Sequence, residues 1–221
     1  MTPAAAPSQP QRKRGRPPKD QTAVDATRTH LVRAGVAILT EKGFSAVGLD
    51  EILSSVGIPK GSFYYYFDSK TAFGLTLVDA YADFFARKLD RWFEQETRPP
   101  LQRLRDFVAD AREGMRRHEF RRGCLVGNLG QEMGALPEVF RDRLASVFRD
   151  WEARTAKCLR AAQAAGEIAD NLDCDRLASF FWIGWEGAVL RAKLERSPVA
   201  LDEFADGYFK LLETPVQSRR M

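Results

Sequence analysis

Apolar residues recur at steps of three and four through most of this chain, and the runs that they form end at glycine or proline. Leu31, Ala34 and Ile38 begin the first run, which stops at Gly43. This spacing places apolar side chains on one face of a helix, whereas a strand requires alternation with a period of two, which no long stretch shows. The chain has 221 residues, of which 44% are hydrophobic, so it can bury a sizeable core. The sequence therefore predicts an all-α fold.

Two short helices are predicted next, joined by a tight turn. An apolar stripe from Leu49 to Val56 ends at Gly57, a residue suited to the left-handed conformation at the end of a helix. Pro59 has a φ near the helical value and needs no donor in a first turn, so a helix can begin there and run to about Tyr65. Two short helices around a glycine-containing turn form a helix-turn-helix.

The rest of the chain is predicted to be helical as well. Asp68 and Ser69 can cap a long helix from Lys70 to about Phe93. The side chains of this helix expected to face inward are Phe73, Leu77, Tyr81, Phe84 and Phe85. Further helices are expected over about 101–117, 123–134, 138–165, 173–195 and 201–213.

The N-terminal 19 residues carry a localised positive charge. Five of the 34 bases lie in this stretch, which contains no acid, while the other 29 bases face 30 acids in the remainder of the chain. Five prolines and few large apolar groups predict that the stretch is disordered alone. A localised basic segment indicates an anionic partner.

Residues 44–70, FSAVGLDEILSSVGIPKGSFYYYFDSK, resemble the DNA-binding domain of TetR-type repressors. The resemblance implies a three-helix DNA-binding domain with a helix-turn-helix, joined to a helical ligand-binding and dimerisation domain. We expect a basic arm over 1–22, the DNA-binding domain over 23–69, the second domain over 70–213 and a tail over 214–221. Since paired recognition helices read two half-sites, a homodimer on a palindromic operator in double-stranded DNA is expected.

The recognition helix combines small residues, which let a backbone enter the major groove, with donors for phosphates or base edges. The predicted DNA contacts in and around it are Ser45, Lys60, Gly61, Ser62, Tyr64, Tyr65 and Lys70. Phe63, Tyr66 and Phe67 are expected to pack inward instead.

The arm contributes a second set of predicted DNA contacts: Arg12, Lys13, Arg14, Gly15 and Arg16. Arg14 to Pro17 resemble an AT-hook core, in which arginines follow a narrow minor groove. A nonspecific electrostatic tail is the alternative reading, and both readings place the arm on DNA.

The segments RRGCLVGNLGQEMG, residues 121–134, and WIGWEGAVLRAKLE, residues 182–195, resemble a TetR-type subgroup that senses electrophiles such as acrylate or N-ethylmaleimide. A thiolate attacks an activated alkene, and Cys124 follows two arginines at a predicted helix start, so a lowered pKa is expected. The predicted effector contacts are Cys124, Asn128, Glu132, Trp182, Trp185, Glu186 and Lys193. Lys193 is included because the resemblance implies a lysine near the cysteine. A purely structural Cys124, and polar side chains that only pair with one another, remain open as alternatives.

The helices over 173–195 and 201–213 are expected to form the dimer interface, as the resemblance implies. The predicted dimerisation residues are Phe180, Ile183, Gly187, Leu190, Leu194, Phe204 and Tyr208.

Other classes fit the sequence less well. No apolar run is long enough to cross a bilayer, and three cysteines and two histidines match no metal pattern, so we expect a cytoplasmic regulator without metal or cofactor. An effector that is not an electrophile is one alternative. An enzyme with Cys124 as nucleophile and His118 as base is another, but no orienting acid is evident and the pair does not share a helix face. An architectural DNA-binding protein with no effector is a third.

Overall fold

The computed structural model describes residues 21–213, and every regular element in that range is helical. The expected all-α fold is therefore confirmed. The helices are α1 (Gln21–Lys42), α2 (Leu49–Ser55), α3 (Phe63–Tyr66, preceded by a 3-10 turn, Lys60–Ser62), α4 (Lys70–Phe93), α5 (Pro100–Arg116), α6 (Leu125–Gln131), α7 (Val139–Ala164), α8 (Cys174–Glu195) and α9 (Val199–Glu213). No helix within residues 21–213 is long and apolar enough to span a membrane.

Helices α1 to α3 form a small N-terminal unit whose turns follow the glycines. Gly43 ends α1 with φ +81°, and Gly57 follows α2 with φ +68°, conformations that other residues adopt only with strain. Pro59 is extended and lies just before the 3-10 turn. The helical segment therefore begins at Lys60, one residue later than the sequence predicted. The rings of Phe63, Phe67 and Phe73 pack together, with centroids 4.6–5.6 Å apart, and fix α3 against α4.

Helix α4 begins and ends where the sequence predicted. The Ser69 hydroxyl accepts a hydrogen bond from the Ala72 backbone N–H at 3.0 Å and so caps its first turn. Tyr81 is buried and Phe85 lies against the core, whereas the expectation that Phe84 faces inward is wrong, because that ring is 55% exposed. It points towards the shallow groove between α1 and α4.

The larger C-terminal unit packs α4, α5, α7 and α8 around an aromatic core. Trp151 and Trp182 lie with ring centroids 4.9 Å apart, and both are almost completely buried. The Trp182 indole N–H donates to the Thr155 hydroxyl at 3.0 Å, which satisfies a buried donor.

Helix α6 is shorter than the predicted 123–134, because an irregular segment separates it from α5. Glu119 and Phe120 both have positive φ values, 52° and 54°, and the buried Phe120 side chain anchors the segment to the core. This chain reversal places Cys124 directly before α6, at its N-cap.

Candidate DNA-binding surface and effector cavity

The recognition segment presents its polar and aromatic tips to solvent. Tyr64 is 70% exposed and Tyr65 51%, while Phe63 is buried and Tyr66 partly so. A side chain at Gly61 would meet no atom within 4 Å, so the backbone is open at that point. Lys60 is exposed and forms an ion pair with Asp50 at 2.6 Å, which ties the 3-10 turn to α2. The surface has the small residues and donors that a groove-binding helix needs.

Lys70 and Ser45 make contacts that the sequence did not predict. The Lys70 ammonium donates to the Val47 carbonyl at 2.9 Å and lies 4.7 Å from the centre of the Phe44 ring. It therefore supports the corner between α1 and α2, in addition to any contact with phosphate. The Ser45 backbone N–H points back towards α6, while the residue itself is exposed. The predicted arm contacts, Arg12 to Arg16, lie outside the described residues.

A cavity of about 370 Å³ opens between α1, α4, α5 and α8, under the irregular segment that precedes α6. Its volume falls within the range of small-molecule sites. Tyr81, Cys124, Trp185 and Glu186 contribute to its wall. Basic side chains are also part of the lining, namely Arg33, Lys88, Arg117 and Arg122. The cavity thus combines an apolar and aromatic wall, a thiol, a carboxyl and several cations.

The environment of Cys124 overturns the expectation of a lowered thiol pKa. Burial and the neighbouring Glu186 carboxylate raise the pKa of the thiol well above its ordinary value. The two arginines that precede it face other carboxylates: Arg121 lies 3.5 Å from Glu119, and Arg122 lies 4.0 Å from Glu41. The helix start does contribute, since the Gly127 N–H lies 3.4 Å from the sulfur, but burial outweighs it.

Cys158 and Cys174 are buried at sites away from this cavity. Burial raises the pKa of Cys158 to about 12, and its thiol donates to the Pro100 carbonyl at 3.3 Å. Cys174 lies 3.6 Å from the Gln163 side-chain oxygen. Both thiols pack as parts of the fold.

The structure divides the predicted effector contacts into three groups. Cys124, Trp185 and Glu186 line the cavity. Trp182 does not, because its ring lies in the aromatic core and its N–H is used by Thr155. The remaining three, Asn128, Glu132 and Lys193, lie together at the junction with α1, beside a separate surface pocket of about 440 Å³.

This junction joins α6 and α8 to the end of α1 by polar contacts, and we call it the α6 latch. The Asn128 amide donates to the carbonyls of Leu39 and Thr40 at 3.1 and 3.0 Å. The Thr40 carbonyl also receives the Gly123 N–H at 2.9 Å and the Lys193 ammonium at 3.4 Å. Burial lowers the pKa of Lys193.

Glu132 completes the α6 latch on the DNA-binding unit. Its carboxylate accepts the backbone N–H groups of Phe44 and Ser45 at 2.9 and 2.6 Å. A Cβ on Gly43 would lie 2.1 Å from one carboxylate oxygen, so this position requires glycine for its conformation and for this close approach. The corner that leads into the helix-turn-helix is therefore fixed directly to α6.

An apolar strip runs along the solvent side of α8. Phe180 is 50% exposed, Ile183 70%, Leu190 44% and Leu194 75%, and Gly187 stands open between them. We call these five residues the α8 strip. Contiguous apolar surface of this kind marks an interaction site.

The two α9 residues predicted for dimerisation occupy other positions. Tyr208 is buried, and its hydroxyl donates to the Leu177 carbonyl at 3.0 Å, so it packs within its own subunit. Phe204 is partly buried, and its ring fills the space above Gly184, where a Cβ would come within 2.2 Å of a ring carbon. The small residue at Gly184 therefore serves packing inside the chain.

Sequence reasoning missed several side chains of the cavity, of which Tyr81, Arg33 and Arg117 bear most on its chemistry. Tyr81 was expected only as a core residue, and Arg33 and Arg117 were not singled out at all. Within residues 21–213, neither arginine has a carboxylate within 4 Å. The helical period placed Tyr81 on the inner face of α4 but could not show that a cavity adjoins it.

Two family profiles match the chain. Residues 31–74 match the bacterial regulatory proteins of the tetR family, and residues 100–208 match the tetracyclin repressor-like C-terminal domain. The first segment runs from within α1 to the start of α4, and the second runs from α5 to within α9.

Individual relatives extend this likeness over nearly the whole chain. Transcriptional regulator AcuR of Cereibacter sphaeroides is 53% identical, over 98% of this chain and 97% of its own. The crystal structure of regulatory protein TetR from Rhodobacter sphaeroides superposes with a TM-score of 0.81 at 56% identity, covering 82% of this chain and 96% of that one. The reduced form of Escherichia coli NemR gives a TM-score of 0.76 at 26% identity, covering 86% of this chain and 100% of that one. This chain belongs to the TetR family of DNA-binding transcriptional regulators.

Proposed function

We propose that this protein is a ligand-responsive repressor, which binds a palindromic operator as a homodimer and is released by a small electrophile or an acrylate-like molecule. The observation that carries the proposal is the cavity of about 370 Å³, which has the Cys124 thiol in its wall and shares that wall with α1, the first helix of the DNA-binding unit. An occupant of this cavity touches both units at once.

The DNA side of the proposal rests on the exposed recognition segment. Tyr64 and Tyr65 would reach the sugar-phosphate wall or a thymine methyl, and Lys60 would reach a phosphate or base edge. The basic arm would add contacts in the minor groove or along the phosphates.

The α8 strip supports the dimer. Two copies of the strip can face each other across a two-fold axis, so that each apolar side chain is covered by the same surface of the partner. TetR-family regulators act as dimers, and paired recognition helices need two half-sites.

The chemistry of the cavity favours a small, partly polar effector. The carboxylate of an acrylate-like molecule would find Arg33 or Arg117 as a counter-ion, since neither forms an ion pair within 4 Å among residues 21–213, although Arg117 helps to lower the pKa of Glu113. Its alkene end would then lie against the aromatic wall near Cys124. The resemblance to the electrophile-sensing subgroup supports the same class of effector.

The α6 latch supplies a route from the cavity to DNA. Cys124 stands at the start of α6, and Glu132 immediately after its end accepts the backbone N–H groups of the α1–α2 corner. An effector that prefers one position of α6 changes the orientation of the recognition segment, and operator affinity falls by the reciprocal factor.

A second candidate has the same repressor bind its effector without a covalent bond. The raised pKa of Cys124 favours it, because a buried neutral thiol is a weak nucleophile. Footprinting on the DNA upstream of the protein's own gene tests both, with acrylate or N-ethylmaleimide added to the wild type and to Cys124→Ser. Release in the wild type alone supports covalent sensing, and release in both supports reversible binding. An unchanged footprint with every probe contradicts this effector class.

A further inference from the structure

Three titratable side chains from three separate elements converge on one wall of the cavity. Tyr81 comes from α4, Cys124 from the start of α6 and Glu186 from α8, and all three line the cavity. A Cβ placed on Gly127 would lie 2.0 Å from a Glu186 carboxylate oxygen and 3.6 Å from the Cys124 Cβ. The Gly127 N–H also lies 3.4 Å from the Cys124 sulfur, so the carboxyl and the thiol both adjoin Gly127.

The carboxyl and the hydroxyl both act on the thiol. Besides burial, the Glu186 carboxylate raises the pKa of the Cys124 thiol, whereas the Tyr81 hydroxyl lowers it. Burial raises the pKa of Glu186, and the thiol in turn lowers it. Glu186 is therefore a carboxyl adjacent to the thiol proton before any effector enters.

Few other groups are placed to take that proton. The Lys193 ammonium lies beside the Thr40 carbonyl in the α6 latch, and an ammonium has no lone pair to accept with. The remaining titratable and charged groups of the cavity are Arg33 on α1, Lys88 on α4, and Arg117, His118 and Arg122 before α6. Lys88 is paired with Asp110 at 2.9 Å, and the His118 side chain is exposed.

We propose that Glu186 is the base that accepts the Cys124 proton when the sulfur adds to an electron-poor alkene, while the Tyr81 hydroxyl holds the sulfur in place. This inference rests on the proposed electrophile sensing. The S–C bond forms as the alkene π bond breaks, and the electron pair moves onto the activating group. The proton held by Glu186 then returns to the adjacent carbon, so that S–H is added across C=C and the carboxylate is regenerated without any oxidant.

The charge state of Glu186 gives this step its pH dependence. Burial raises the pKa of Glu186 to about 7, so the carboxyl is partly ionised at neutral pH. Labelling should accelerate as pH rises through about 7, because the ionised carboxylate is the form that accepts the proton. An ionised Glu186 also repels an anionic effector, so an uncharged electrophile should react faster than acrylate above that pH.

The test is the rate at which the full-length protein forms an N-ethylmaleimide adduct at Cys124, measured by mass spectrometry with peptide mapping from pH 5.5 to 9. Wild type should show a rise and a plateau above pH 7. Glu186→Gln should react at least 10-fold more slowly at pH 7.5 and lose the plateau, while Glu195→Gln on the same helix should match the wild type. Tyr81→Phe, which keeps the ring, should slow the reaction several-fold.

The sign of the effect separates a base from a mere neighbour. The negative charge of Glu186 raises the pKa of the thiol, so removing it would speed labelling if the charge only opposed ionisation. A Glu186→Gln protein that is folded by circular dichroism and reacts as fast as wild type, or faster, overturns the inference. If Glu186→Gln does not fold, Glu186→Asp and Tyr81→Phe decide, and wild-type rates in both overturn it. Absence of any Cys124 adduct in the wild type overturns covalent sensing itself, and the inference with it.

Discussion

The Glu132 carboxylate accepts the Ser45 backbone N–H at 2.6 Å, across the boundary between the C-terminal helices and the DNA-binding unit. Residues 87 positions apart are thereby joined by a charge-assisted hydrogen bond. A second bond to Phe44 makes the contact two-pronged, so rotation of the corner about a single bond is prevented.

Glu132→Ala should uncouple the operator from the effector. Effector couplings are typically about 5- to 150-fold in affinity, and loss of the latch should reduce the response to less than about threefold. Fluorescence anisotropy of labelled operator, with and without saturating N-ethylmaleimide, measures it. Glu138→Ala removes a surface carboxylate at the start of α7 whose only ion pair among residues 21–213 is with Arg141, and this variant should behave as wild type. A full response in Glu132→Ala would show that coupling takes another route.

Tyr64→Ala should reduce discrimination between operator and random DNA. A side chain that reads a base edge or a thymine methyl contributes about 1–3 kcal/mol, so the ratio of the two affinities should fall about 10- to 100-fold. Competition binding at fixed salt gives the ratio. As a control, Phe84→Ala removes an exposed ring from a different helix, α4, and should leave the ratio of the two affinities unchanged. Equal losses on both DNAs would instead make Tyr64 a backbone contact.

Deletion of residues 1–19 should lower the salt dependence of DNA binding more than its specificity. Each arm base that neutralises a phosphate contributes about 0.9 to the slope of log affinity against log salt. Titrations at several salt concentrations measure the slope, and a chain with Gln at the five basic positions separates charge from length. A slope that does not change on deletion would remove the arm from the DNA contacts.

Ile183→Glu should produce a monomer with little affinity for the operator. The side chain is 70% exposed in the isolated chain and stands in the middle of the α8 strip, so in a dimer it would bury an unpaired charge in both copies. Light scattering after size-exclusion chromatography gives the mass. Val139→Glu introduces the same charge at an exposed apolar residue of α7 and should stay dimeric. A dimeric Ile183→Glu protein would place the interface elsewhere.

Glu186 should make folding stability depend on pH. Its pKa is raised from an ordinary value near 4.3 to about 7 in the folded chain, so the folded protein binds more protons between these values. Stability should fall as pH rises through this window and level off above about 7. The advantage of Glu186→Gln should grow by about 1–3 kcal/mol between pH 4.5 and 8 in urea unfolding, with Glu195→Gln showing no such trend. A constant difference would mean that Glu186 is well solvated.

The elements of the fold were predictable because helix ends are set locally. Ser69 marks the start of α4 and Gly43 the end of α1 by their own chemistry, without reference to distant residues. The outward stripe of α8 was also predictable, since an excess of apolar surface is a property of that one helix.

The site was only partly predictable because its contacts are distant in sequence. Asn128 and Glu132 read as pocket residues, since a polar group on an apolar helix needs a partner, but the sequence could not show that the partners are backbone groups of residues 39–45. The thiol pKa was mispredicted for the same reason. Neighbouring arginines favoured the thiolate, whereas burial and, after it, Glu186 on another helix raise the pKa of the thiol.

In the dimer that we propose, the α8 strip has a genetic consequence. A copy that keeps these five residues but has lost its Tyr64 would still pair with intact copies and occupy them in mixed assemblies with one competent half. Such alleles should act in trans, so that a modest excess of the defective gene product derepresses a cell that also carries a functional gene. A copy defective in the strip should be recessive, because it cannot engage the intact chains.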